Sequence, residues 1–234
     1  MKTSSPVSNT SAPIPPIADA QAAADTVRSA VQAYACGDVE RAASLFEDAE
    51  RLAAGTPFAA RVGYNVAVFL RKTGRLADAR AKLDAVLARE ADMAAAWLEL
   101  GLTLADLSDL DAAEGALRLA SRLGADEVAT HHALAMVAFR LGKWAECLAH
   151  LARLGPADQA TALLVVRALF EAGRSDEAWA LAGQIGQAAP ECAADLLKAT
   201  TRRARGGFHL SEQATAIRLG VVSESACDSP RASR

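Results

Sequence analysis

Cysteine is scarce and scattered in this chain: Cys36, Cys147, Cys192 and Cys227 are its four, and none forms a C-x-x-C pair. A disulfide framework or a zinc ribbon needs closer or paired spacing, so both are set aside, and a reducing compartment suits such thiols best. Aromatic residues make up only 5%, and four of the eight prolines (Pro6, Pro13, Pro15 and Pro16) stand before residue 20. A basic excess is also missing. Lys and Arg number 25 against 28 Asp and Glu, a formal −3, which speaks against nucleic acid as the main partner. The basic run from Lys198 to Arg205 reads as the charged end of a helix, complementing its macrodipole. No run is apolar for the ~20 residues that a membrane span needs. The segment from Met1 to Asp19 has no apolar stretch of signal-peptide length. The expected location is cytoplasmic.

What is abundant is alanine, within a hydrophobic content of 52%. Alanine has the highest helix propensity and packs where backbones approach closely. The composition therefore points to an all-α chain.

A repeat runs through it. Gly37, Gly74, Ser108, Gly142 and Gly173 serve as anchors, and the two middle intervals are both 34 residues. Five positions after each anchor stand Ala42, Ala79, Ala113, Cys147 and Ala178, all small. Nine positions after stand Phe46, Leu83, Leu117, Leu151 and Ala182; seven before stand Ala30, Ala67, Gly101, Ala135 and Val166. Each column has a physical reason. The anchor ends a helix in a conformation that costs most residues more than glycine. The small residues let paired helices come close, and the larger one fills the space beside the pair. Asp38, Asp109 and Ser175 lie where second helices begin and are expected to cap them.

These residues resemble the tetratricopeptide repeat family. Trp97, Leu100, Gly101 and Leu104, followed by Ala113, Leu117 and Ala120, match its W-x-x-L-G-x-x-Y … A-x-x-x-F pattern with Leu for the later aromatics. Tyr64 to Leu70 followed by Gly74 to Ala79 resembles a second unit, and Pro190 stands where the family closes a repeat. Val166 and Ala182 depart from the pattern. The resemblance covers residues 20–205 and implies an α-α superhelix of about five helix pairs. A capping helix is expected from about Glu191 to Arg205. A disordered Pro/Ser-rich segment over 1–19 and a flexible tail over 206–234 complete the expected organisation. The Arg-rich, Ala-rich composition is of the kind found in GC-rich bacterial genomes.

The resemblance also implies a concave groove lined by first helices, in which the family holds peptides. Carried over unit by unit, the groove positions are Val27, Val31 and Tyr34; Arg61, Tyr64, Asn65, Val68, Arg71 and Lys72; Leu98, Leu102 and Asp106; His132, Met136, Phe139 and Arg140; and Leu163, Arg167 and Phe170. Apolar and aromatic residues with interspersed arginines imply an apolar or amphipathic partner segment with some negative charge. The subtype that clamps chaperone C-termini is not implied, because Val27, Val31, Ala95 and Leu98 replace its Lys, Asn and Arg and only Asn65 matches. The expected function is a protein-interaction scaffold or adaptor. A secretion chaperone with a hydrophobic client, a regulatory or sensor subunit and a self-associating module are the alternatives.

Catalytic chemistry finds little support. There is no G-x-S-x-G elbow, phosphate loop or dinucleotide fingerprint, so no enzyme activity and no cofactor are expected. His131, His132, Cys147 and His150 are the one grouping with metal-ligand chemistry. Cys147 falls in the small inward column, where a thiol acts as a compact apolar residue, and no metal is expected. The clusters Phe208-His209-Leu210 and Ile217-Arg218-Leu219 raise the idea of a tail that folds back into the groove.

Overall fold

A computed structural model describes residues 17–154 and 159–189. Among these residues there are ten α-helices and no strands. They are α1 (Ile17–Ala35), α2 (Val39–Ala53), α3 (Ala59–Lys72), α4 (Leu76–Leu87), α5 (Ala94–Asp106), α6 (Leu110–Arg122), α7 (Glu127–Arg140), α8 (Trp144–Arg153), α9 (Gln159–Glu171) and α10 (Ser175–Ala188). The expected helix over Glu191–Arg205, Pro190, residues 1–16 and the tail clusters lie outside the described residues, whereas Ile17–Asp19, expected to be disordered, form the first turn of α1. The chain divides into two compact units at Ser108, itself a repeat anchor, with α1–α5 in the first and α6–α10 in the second.

The anchors do what the sequence requires of them. Gly37, Gly74, Gly142 and Gly173 all adopt positive φ, between 74° and 83°. At Gly74 the chain reverses by two hydrogen bonds: the Gly74 amide donates to the Arg71 carbonyl (3.0 Å) and the Arg75 amide to the Leu70 carbonyl (2.8 Å). This pattern satisfies carbonyls that the end of α3 leaves open. It recurs with Asp38 on Ala33, Lys143 on Ala138 and Arg174 on Leu169. Ser108 has φ +66° and is the one non-glycine residue in this region among the described residues.

The small column is the most buried part of the molecule. Ala42, Ala79, Ala113, Cys147 and Ala178 are all 0% exposed. The larger column and the column before the anchor are buried too, including the departures Val166 and Ala182. Helices that meet on alanine come very close. At Gly63 of α3 an added methyl would stand 3.0 Å from Val86 Cγ2 of α4. In the first unit the ring of Phe69 (α3) packs on Phe46 of α2 (centroids 4.9 Å apart) and edge-on against Tyr34 of α1 (5.6 Å). Burial of one such ring is worth about 1.5–3 kcal/mol. In the second unit Cys147 and Leu151 of α8 pack with Ala135 and Ala138 of α7 and Leu164 and Ala168 of α9.

The caps partly correct the expectation. Asp38 caps α2, its carboxylate accepting from the Arg41 amide at 3.1 Å. Asp109 occupies the cap position of α6 without a side-chain hydrogen bond, and Ser175 is already inside α10, whose cap residue is Arg174. Asp126, which the repeat columns do not single out, caps α7 through the Ala129 amide at 2.7 Å.

Ser108 gives a direct test. The left-handed conformation costs a non-glycine residue about 1–2 kcal/mol, and its hydroxyl returns only an exposed hydrogen bond from Arg140 (3.0 Å). Ser108→Gly should stabilise the chain by roughly 0.5–1 kcal/mol and raise the thermal midpoint by about 2 °C. A lower midpoint would contradict the assignment.

Candidate partner-binding site

In the first unit, α1 and α3 frame a small cleft of about 130 Å3 that brings together Val27, Arg61 and Asn65 from the expected groove. Phe58 lines it as well and is 44% exposed. The turn before α3 sets this ring in place. Thr56 is buried, its hydroxyl donates to the Ala53 carbonyl (2.7 Å) and accepts from the Phe58 amide (3.2 Å). Val31 is half exposed, Tyr34 is partly buried against Phe69, and Tyr64, Val68, Leu98 and Leu102 are partly buried. Arg61 and Lys72 are exposed and have no acidic partner among the described residues. The Asn65 amide is engaged within its own helix, donating to the Arg61 carbonyl at 2.9 Å.

Arg71 is not a free groove residue. Its Nε donates to Glu99 Oε1 at 2.6 Å and an Nη donates to Asp106 Oδ2 at 3.2 Å, both on α5. The Glu99 side chain is only 8% exposed, and this ion pair offsets the hydration it has lost. Burial pulls the Arg71 guanidinium down, yet the hydrogen bonds and charges of Glu99 and Asp106 hold it above its ordinary value. Beside the pair, burial raises the Tyr64 phenol, Glu99 raises it further, and Arg71 opposes both.

In the second unit His132 and Arg140 are exposed, and Met136 is 42% exposed. Phe139 is largely covered: the Arg167 guanidinium lies 4.9 Å from its ring centroid and Trp144 packs edge-on at 5.2 Å. Leu163 packs against the core of α9 and α10. Phe170 is buried against Trp179 (5.2 Å) and has almost no surface to offer a partner.

The arrangement of these helices is shared with solved structures. A tetratricopeptide repeat protein from Parabacteroides merdae superposes with a TM-score of 0.67 at 11% identity, covering 86% of this chain and 75% of that one. TTC0263, a thermophilic protein of the same class from Thermus thermophilus, gives 0.58 at 21% identity, covering 76% and 98%. YrrB, described as having an unusual peptide-binding site, gives 0.59 at 20% identity, covering 74% and 91%. The chain has the tetratricopeptide repeat fold. No protein-family model matches the sequence, and no curated protein matches it either.

Within the tetratricopeptide fold the first helices α1, α3, α5, α7 and α9 carry all the carried-over positions. Phe58 escaped the sequence reading because it sits in a turn, outside the repeat columns; an isolated large aromatic ahead of a helix was the available signal. The metal-like grouping is rearranged. His131, not His132, faces His150, with Nδ1 to Nδ1 at 3.0 Å, and His150 is partly buried. Cys147 is fully buried and its thiol is pushed up to about 11 by burial, which keeps it protonated at neutral pH. Among the described residues no group of three or more His, Cys, Asp or Glu is placed to hold a metal, and no helix is long and apolar enough to cross a membrane.

The Arg71–Glu99 pair predicts an asymmetric mutational response. Arg71→Ala strands a buried carboxylate and should cost about 3 kcal/mol; this is the low end for a buried pair, since Arg71 is itself partly hydrated. Replacing both residues with leucine should recover most of that loss. Urea unfolding measures both, and equal midpoints for wild type and Arg71→Ala would refute the pairing.

Proposed function

We propose that the chain is a non-catalytic scaffold or adaptor, and that the first helices of each unit hold an apolar or amphipathic segment of a partner protein. The supporting observation is the cleft between α1 and α3, where Val27, Arg61, Asn65 and the exposed ring of Phe58 meet. An aromatic side chain left 44% in water at the rim of an apolar cleft gains free energy when a partner covers it. Arg61 supplies positive charge in the cleft with no acidic partner among the described residues, so an acidic residue flanking the docked apolar side chains fits this face. Met136 gives the second unit an adaptable apolar contact beside exposed His132 and Arg140. Phe139 and Phe170 serve packing in this reading, not capture. YrrB, which shares this fold, is described as having an unusual peptide-binding site, and peptide capture is the property proposed here.

A random peptide display tests the proposal on the full chain. Selected peptides should combine apolar residues with Asp or Glu. Phe58→Ala with Arg61→Ala should weaken the selected peptide at least tenfold (about 1.4 kcal/mol) while far-UV circular dichroism stays unchanged. Binding that is indifferent to both replacements would end the proposal for the first unit.

A further inference from the structure

A different surface of the second unit carries an arrangement that partner capture does not use. Between α6, α7 and α8 lies an open cleft of about 620 Å3. Arg118, Ser121 and Arg122 of α6, His131 of α7, and His150 and Arg153 of α8 line it, and among the described residues no acidic side chain does. Arg118 is held by Glu114 (2.5 Å) and Glu146 (3.1 Å). Arg122 and Arg153 are exposed and have no acidic partner among the described residues. Each lies in the last turn of its helix, where a cation complements the macrodipole. That accounts for each arginine alone. It does not account for two of them converging on a histidine pair.

The pair has a defined chemistry. With Nδ1 atoms 3.0 Å apart, one ring must donate and the other accept, so the two imidazoles together carry at most one positive charge while the bond lasts. His131 is buried. Burial lowers His150, positive charge on His131, Arg153 and Arg118 lowers it further, and Glu146 alone opposes. The cleft thus concentrates guanidinium charge around His150, whose protonation its burial and cationic neighbours oppose. A bound anion would relieve both strains.

We infer that this cleft binds a phosphate group. Two unpaired guanidinium groups on separate helices, an imidazole pair and the Ser121 hydroxyl offer donors from several directions, which suits a tetrahedral dianion better than a planar carboxylate. The group is either free phosphate in a small molecule or a phosphorylated side chain on a partner protein; both present the same oxygens. The inference is independent of the α1–α3 cleft, which shares none of these residues.

The test uses the full chain, 15N-labelled, with His131 and His150 ring nitrogens followed by NMR at pH 7.5 and ionic strength held constant with sodium chloride. Inorganic phosphate should produce saturable shifts of both rings. Arg122→Ala with Arg153→Ala should weaken saturation at least tenfold, whereas Arg28→Ala with Arg41→Ala, in the first unit, should leave it unchanged. A phosphoserine peptide titrated in parallel, beside its unphosphorylated form, separates the sources. Tighter binding than phosphate assigns the site to a partner's side chain, and binding no tighter assigns it to small phosphates. Shifts that never saturate with either probe, or saturation untouched by the Arg122/Arg153 replacement, would overturn the inference.

Discussion

Close approach of two helix backbones is the constraint from which the rest of this molecule follows. Five small side chains, each five residues past a helix-ending anchor, are wholly removed from water, and four of them are alanine. Little beyond a methyl or thiol fits such a contact, because overpacking by even a few methylenes costs about 1–3 kcal/mol. The anchors serve the same end. By turning the chain through a left-handed residue they bring the second helix back at once, and the Gly74 pair of hydrogen bonds shows how the open carbonyls are closed.

With alanine at the contacts, few large side chains are needed to fill the remaining space. Phe46, Leu83, Leu117 and Leu151 are buried beside the first four pairs, and Ala182 stands in the same column of the last. Charges then link successive repeats at longer range. Lys82 reaches Glu50 at 2.8 Å, Lys143 reaches Glu114 at 2.6 Å, and Arg71 reaches Glu99. Pairs that are half in water add little stability, whereas Glu99 is buried and ties α3 to α5. Some side chains spared from these tasks fall on two surfaces of different chemistry. Phe58 and Arg61 mark an apolar face with a positive edge; Arg122 and Arg153 mark a cationic cleft.

Repeat architecture was legible in the sequence because unit after unit restates its columns. The 34-residue spacing of the middle units (37 and 31 residues in the outer ones), the small columns and the positive-φ anchors depend on backbone geometry, which leaves a local mark, and even Ser108 obeys it. Contacts between side chains leave no such mark. Arg71 and Glu99 are 28 residues apart, and nothing in either segment announces the other. His131 and His132 are neighbours in sequence, but a helical step of about 100° separates their directions, so one is buried against His150 and the other faces water. Phe170 occupies a groove position by alignment yet turns inward to Trp179, because the last described pair, with Ala182 in the larger column, needs the volume. The sequence-derived site is therefore a list of helix faces, and the structure sorts it into packed, paired and open residues.

Removal of one whole repeat tests the central claim most directly. Deleting residues 109–142, one 34-residue period, joins Ser108 to Lys143, so that α8 takes the place of α6 in register. If each repeat is held chiefly by contacts with its neighbours, the shortened chain should keep its helical signal per residue and unfold cooperatively. A 30-residue deletion in the same place should not. Loss of helical structure in the 34-residue deletion, or equal behaviour of the two, would contradict the account.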